Sequence, residues 1–285
     1  MTEKKTVLIT GCTDGGLGAA MARAYEARGF RVFATLRSLS KAGTLGEMEG
    51  VELLELDVTS DESIHQCTKA VEKLTGGSLD ILVNNAAANN YVIPLLDSSI
   101  EQAKKVYEAN VWAPLAMVKA FAPMIICTKG TICNISSVSC ELVFGWSVLT
   151  LTAGIYNSSK SALTMLSETL RIELAPLGVK VVTAILGGMS TNAFSNVPDL
   201  ELPETSYYGK IASIIDYHHK GLAFTSKQNV DVAAKNIVND VLNGRVFIRR
   251  GDASTISWLC TTFIPSVTLT NMINKDKGFD KLERS

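Results

Sequence analysis

The stretch TVLITGCTDGGLG, residues 6–18, decides the fold. A short apolar, β-favouring run ends at Thr10, and four of the next eight residues are glycine. AAMARAYEARG then opens as a helix with no intervening linker. Strand, glycine turn and helix in immediate succession make the start of a βαβ unit. Glycines let the backbone approach a ligand closely, and a helix N-terminus offers free amide donors and the positive end of a dipole. The turn is therefore shaped for a pyrophosphate.

Outward from that unit, short β-rich runs alternate with longer helical patterns. RVFAT (31–35), VELLEL (51–56), LDILVNN (79–85), GTICNIS (130–136), KVVTAIL (180–186) and RVFIR (245–249) read as strands. Helical patterns lie near 17–29, 61–75, 98–124, 155–176 and 231–243. Strands apolar on both faces and separated by helices predict an α/β fold. Its form is a single Rossmann-like doubly wound parallel sheet of about seven strands with helices on both faces. No linker splits the chain, so residues 1–285 read as one catalytic domain. Residues 187–228 break the alternation, carry prolines and aromatics, and read as a substrate lid. Residues 251–285 form a C-terminal extension, apolar but punctuated by Ser, Thr and Pro265.

Composition narrows the partners. A net charge of -1 and three scattered histidines argue against nucleic acid and against a metal site. The six cysteines (12, 67, 127, 133, 140, 260) form no C-x-x-C pair and read as core or near-core residues of a reducing compartment. The opening MTEKKTVLIT lacks the pattern of a secretion signal, and no uninterrupted apolar run reaches the roughly 18 residues of a membrane span. A cytoplasmic location is expected. Membrane-surface contact through Trp258, Leu259, Phe263 and Ile264 is disfavoured because few basic residues accompany them.

Two further stretches carry chemistry. At the end of the second strand, FATLRSLSK has no acid for a ribose 2′-hydroxyl; Arg37 follows instead and suits a 2′-phosphate. Asp57, in LDVT, could bond an adenine amino group or cap a turn, and the two roles are compatible. In TAGIYNSSKSALTMLSETLRIEL (152–174), Tyr156 and Lys160 stand one helical turn apart. On one helix face an ammonium beside a phenol is expected to lower the phenol's pKa and make it a proton donor.

With the glycine turn, LDVT, NNAA (84–87), Asn110 in EANVWAP, NISS (134–137) and YNSSK in this order, the chain resembles the short-chain dehydrogenase/reductase family over roughly residues 5–250. FATLRSLSK, LLELDVTS and LGGMSTN look like its fungal NADPH-dependent 1-acyldihydroxyacetone-phosphate reductase branch. The resemblance implies a ketone-reducing site. Tyr156 would protonate the nascent alkoxide and Lys160 would bind the nicotinamide ribose. Ser137 would polarise the carbonyl and Asn110 would hold a relay water. The implied NADPH contacts are Gly11, Thr13, Gly16, Leu17, Gly18, Arg37, Asp57, Asn84, Ala86, Tyr156, Lys160, Gly187 and Thr191. Thr191 would meet the carboxamide. The family also implies a homodimer or homotetramer built on the helices near 98–124 and 155–176.

Several positions depart from the pattern. Four residues, not three, separate Gly11 from Gly16, Ala87 replaces a glycine, and Leu186 replaces a proline. Ser137 lies 19 residues before Tyr156, farther than the family spacing, so an insertion follows NISS. Counting back thirteen residues lands on Val143, which cannot polarise a carbonyl, and Ser139 and Ser147 are the alternative donors. Phe144, Trp146 and Leu149 of the insertion either line the substrate cleft or pack in the core. The lid's Phe194, Tyr207, Tyr208, Tyr217, His218 and His219 suit a bulky, mostly apolar ketone, with Lys210 or Lys220 for a phosphate. The alternatives are an alcohol or hydroxysteroid dehydrogenase running in reverse, and a redox-silent isomerase, cyclase or binding protein.

Overall fold

In a computed structural model the alternation resolves into one parallel seven-stranded sheet. The structure describes residues 4–88, 93–142, 154–192, 199–220, 228–275 and 277–282. The strands are β1 (Thr6–Thr10), β2 (Arg31–Leu36), β3 (Val51–Glu55), β4 (Ile81–Asn84), β5 (Thr131–Ser137), β6 (Lys180–Leu186) and β7 (Phe247–Arg250). Their order across the sheet is β3-β2-β1-β4-β5-β6-β7, so the direction of winding reverses between β1 and β4. In such sheets the crevice beyond the strands' C-terminal ends, at the reversal, is where ligands bind. β7 begins two residues later than the sequence suggests, because Arg245 turns back to pair with Asp240.

Strand alternation sorts the apolar side chains into two layers. Val7, Ile9, Val32, Ala34, Val83, Cys133 and Ala184 pack on one face against α1 (Leu17–Glu26) and, through Ala234, Ile237 and Val238, the later helix over 230–242. Leu8, Phe33, Leu82, Ile132 and Val181 pack on the other face. There they meet α2 (Asp61–Thr75) and the long helical segment Ile100–Thr128.

That segment is not uniform. α3 (Ile100–Tyr107) runs into a π turn over Glu108–Trp112 and then into α4 (Ala113–Thr128). Pro114 has no N–H to give the carbonyl of Asn110, which is a local reason for the ladder to widen there. The segment is long and apolar enough to cross a membrane, but Met117, Val118, Phe121 and Ile125 bury it in the core. α5 (Gly154–Leu174) carries the YNSSK stretch. Within 187–228, where the sequence suggests only an irregular insert, α6 (Ala212–His219) forms. α7 (Val230–Leu242) follows, and two helices, α8 (Ser254–Phe263) and α9 (Ser266–Asn274), make up most of the C-terminal extension.

The six cysteines are free. Burial pushes the thiols of Cys12, Cys67 and Cys133 up to about 12, so they act as small core residues. Cys127 is exposed, contrary to the core reading.

Candidate active site

The glycine turn is built by close approach. Gly11 has φ +74°, and a Cβ there would come within 2.9 Å of the Ala86 Cα. A Cβ on Gly18 would meet the Gly11 carbonyl oxygen at 2.5 Å. Thr10 holds the turn against the end of β4: its hydroxyl accepts from the amides of Asn85 and Ala86, each at 2.9 Å. Gly16 caps α1 without any side-chain hydrogen bond, and no acid stands in the first turn. The helix's first amides and positive dipole end are thus left for an anion, which fits the pyrophosphate of a dinucleotide. The extra residue of the loop is accommodated at Gly15, φ +71°, where a Cβ would strike the Asn192 side-chain amide at 2.1 Å. Thr13 lies exposed on the loop, its carbonyl taking the Gly16 amide, and Leu17 packs on the core below. Ala87 is exposed, so its methyl crowds no neighbour in the chain.

At the β2 and β3 ends, Arg37 is exposed and near enough to Asp57 to favour its charged form. Hydrogen bonds from Thr59 are the larger cause holding the Asp57 carboxyl below its usual range. The Thr59 amide (3.0 Å) and hydroxyl (2.7 Å) both bond Oδ1. The turn-capping role of Asp57 is therefore filled by one oxygen, Oδ1. A guanidinium and a carboxylate at this rim fit the adenosine end of a dinucleotide.

At the β5 end, the insertion between Ser137 and Tyr156 does not separate them: the Ser137 hydroxyl, which accepts from the Ser139 amide at 3.3 Å, lies near enough to the phenol to favour its charged form. Lys160 is 3% exposed, and its Nζ donates to the Ile135 carbonyl at 2.9 Å while lying 5.7 Å from the Tyr156 ring centroid. The expected lowering of the phenol's pKa is not found. Burial pushes Tyr156 up to about 12, opposed by the nearby Ser137 hydroxyl, and pushes Lys160 down to about 8. The ammonium is spent on a backbone oxygen and stands off the phenol, so desolvation dominates both groups. Cys140 lies close enough to influence both, and burial raises its own pKa.

Asn110 is fully buried in the π turn. Its amide nitrogen donates to the Ala88 carbonyl (2.9 Å) and the Ser159 hydroxyl (3.0 Å), and its Oδ1 accepts from the Ala88 amide (2.8 Å). Ser159 in turn donates to the Tyr156 carbonyl at 2.7 Å. The side chain is thus a strut between β4's exit and α5, so a water held by Asn110 would have to use its backbone carbonyl. Ser159 and Asn85 are members of the site that sequence reasoning missed. The signal was present in the small residue between Tyr156 and Lys160 and in the second Asn of NNAA.

Some expected residues stand elsewhere. Asn84 is 3% exposed, and its amide donates to Asn134 Oδ1 at 2.8 Å, as Asn134 does to Ser167. This interior strut between β4, β5 and α5 keeps the Asn84 side chain off the cofactor crevice. Gly187 answers to packing, since a Cβ there would lie 1.8 Å from the Asp252 carbonyl oxygen. Thr191 is half-buried at the crevice edge beside Asn192. Ser139 is buried with its hydroxyl unbonded among the described residues. Tyr207 is 81% exposed and Tyr217 half exposed, while His218 and His219 are buried. Lys220 is committed to Asp216 (2.9 Å) and Asp199 (3.4 Å), against a phosphate role. Val143, Phe144, Trp146, Ser147, Leu149 and Phe194 lie outside the described residues.

The short chain dehydrogenase family profile matches residues 5–201. A short-chain dehydrogenase of Talaromyces islandicus, cctT, is 61% identical over 98% of this chain and 97% of its own. An NADPH-dependent 1-acyldihydroxyacetone phosphate reductase of Schizosaccharomyces pombe is 39% identical over 73% of this chain and 69% of its own. Among solved structures, a short chain dehydrogenase of Burkholderia cenocepacia in complex with NADP superposes with a TM-score of 0.70 at 24% identity, covering 92% of this chain and 94% of that one. A Burkholderia phymatum short chain dehydrogenase/reductase in complex with NAD gives 0.76 at 21% identity, covering 90% and 92%. These two show the same fold. Together with the seven-stranded sheet and its glycine turn, the matches establish that the chain belongs to the short-chain dehydrogenase/reductase family of nicotinamide-dependent oxidoreductases.

Proposed function

We propose that the chain is an NADPH-dependent ketoreductase that converts the ketone of a bulky hydrophobic substrate, a lipid precursor or a secondary metabolite, to the alcohol. The observation that carries this reading is the closeness of Ser137 to Tyr156 across the insertion, with Lys160 buried one turn along α5. Two neighbouring hydroxyls can receive one carbonyl oxygen between them, and donors held at that point stabilise the charge that develops there.

A dinucleotide held in the crevice would supply the hydride for the carbonyl carbon. Tyr156, kept protonated through neutral pH by burial, gives its proton to the oxygen as the alkoxide forms. Ser137 donates to the same oxygen. Lys160 holds positive charge beneath the ring, favouring the phenolate left behind until solvent protons return past the Asn110 turn. Gly11, Thr13, Gly16, Leu17 and Gly18 would take the pyrophosphate side, with Ala86 beside the ribose. Tyr156, Lys160 and Thr191 would take the nicotinamide end.

Arg37 at the rim, with no acid at the end of β2, supports NADPH over NADH. The S. pombe relative's printed activity supports a reductase direction. The exposed aromatics at 207 and 217 support residues 187–228 as a lid on a single catalytic domain. Apolar side chains left exposed on α3, the π turn and α5, namely Ile100, Trp112, Met165 and Ile172, support a homodimer or homotetramer. A cytoplasmic location completes the reading.

The test is nicotinamide absorbance with NADPH and NADH against 1-acyl-dihydroxyacetone phosphate and a series of aromatic and terpenoid ketones. NADPH-preferring oxidation that is lost in Tyr156→Phe, while NADPH still binds, is the expected result. Tight NADPH binding with no turnover of any ketone would contradict it and favour a redox-silent role.

A further inference from the structure

The C-terminal extension packs Asp252 against Gly187 and Gly188, and it also meets the turn that follows Ser137. That turn, Val138–Cys140, closes with the amides of Glu141 and Leu142 both bonded to the Val138 carbonyl, at 3.1 and 3.3 Å. The connection to α5 continues from there. Both residues at this junction are held by the far end of the chain.

Glu141 is held by charge. The Arg249 guanidinium, from β7, grips its carboxylate as a fork, with Nη1 on Oε2 at 2.9 Å and Nη2 on Oε1. Each side chain is only 20% exposed, and the fork is bidentate, so the pair is far better defined than a solvated surface contact. The guanidinium also lies 5.9 Å from the Trp258 ring centroid on α8, and Nη1 reaches the Ser254 carbonyl at 3.4 Å. Leu142 is held by packing: it is buried with Leu269 of α9 against Cys260, Ile264 and Ile273. On the other side, the Ser161 hydroxyl of α5 donates to the Cys140 carbonyl at 3.0 Å. The turn bearing Ser137 is therefore clamped between the catalytic helix and the C-terminal hairpin.

We propose that α8 and α9, acting through Arg249 on Glu141 and through the apolar seat of Leu142, are a positioning device for Ser137. Glu141, Arg249 and Leu142 are then positioning residues: they touch no substrate, but fix where the serine hydroxyl stands relative to Tyr156. A longer connection from β5 to α5 would otherwise let that turn wander. Displacements on the order of 1 Å at a reacting group can cost up to about a hundredfold in rate.

The proposal rests on the ketoreductase reading for its kinetic consequence but not for its structural one, and the experiment separates the two. Glu141→Gln, Arg249→Met, Leu142→Ala and the charge-exchanged pair Glu141→Arg with Arg249→Glu are compared in the full chain. Hydrogen exchange is followed at Val138–Leu142 and, as reference, at Thr6–Thr10. Exchange at 138–142 is expected to quicken about tenfold in each single variant while the reference strand is unchanged. NADPH affinity should stay within about twofold, while kcat on a ketone falls about tenfold and the exchanged pair recovers part of it. Unaltered exchange at 138–142, or an equal rise in the reference strand, overturns the proposal. If Arg249→Met does not fold, Arg249→Lys keeps the charge without the fork and is judged by the same pattern. If the wild-type protein reduces no ketone, the functional reading fails and the exchange data still decide the brace.

Discussion

The glycine turn after β1 and the serine turn after β5 stand at the same edge of one sheet, but they are held by different kinds of contact. The glycine turn depends chiefly on what side chains are missing: Gly11 and Gly18 let backbone lie on backbone, while the Thr10 hydroxyl and the Asn85 side-chain amide tie the turn to the end of β4. The serine turn depends on what distant side chains supply. Arg249 reaches Glu141 across 108 residues of sequence, and Asn110 reaches Ser159 across 49. A cofactor shared by many proteins can be met by a backbone cradle. A particular ketone needs a geometry set by particular side chains, and those come from wherever the fold brings them.

Lys160 offers the largest expected way to break the symmetry of this comparison, because on the serine side chemistry and stability oppose each other. Its pKa in the folded protein is about 8 against an ordinary value of 10.5. Between those values the unfolded chain binds more protons than the folded one, so stability rises with pH over that window. Below it, at pH 7, the buried ammonium costs on the order of 3 kcal/mol. Lys160→Met removes that cost but also one donor to the Ile135 carbonyl, worth about 1 kcal/mol. The variant should therefore be inactive yet more stable at pH 7 by about 2 kcal/mol, an advantage that disappears near pH 10. Urea unfolding of both proteins at the two pH values checks this. A variant less stable at pH 7 would show that the lysine supports the fold.

On the glycine side the matching change is smaller and confined to binding. Arg37→Ala should weaken NADPH by about tenfold and leave NADH unchanged, as read by titration of nicotinamide fluorescence. Equal weakening of both cofactors would place the arginine at the shared pyrophosphate instead of the 2′-phosphate.

What the sequence made legible follows the same division. The strand runs, the glycine turn and the Tyr156–Lys160 spacing are local patterns, and they stand where the sequence placed them apart from shifts at strand ends such as the start of β7. α2 matches its expected 61–75 span because Ser60 caps its start and Gly76, in the left-handed region, ends it. The strut formed by Asn84, Asn134 and Ser167 was not legible, because a side chain's direction depends on which strand becomes its neighbour. The clamp on Glu141 was hidden for the same reason, and the extension that forms it reads in sequence as an apolar tail. The phenol's raised pKa was missed because i, i+4 spacing gives proximity and says nothing of desolvation.

The central claim is that Ser137 and Tyr156 act on one carbonyl oxygen despite the insertion between them. A double-mutant cycle on ketone reduction tests it most directly, using Ser137→Ala, Tyr156→Phe and their combination, with Ser139→Ala as control. The account predicts losses of about a hundredfold or more for each single change, a double variant little worse than Tyr156→Phe alone, and a control near wild type. Wild-type rates in Ser137→Ala, or a large loss in Ser139→Ala, would contradict it.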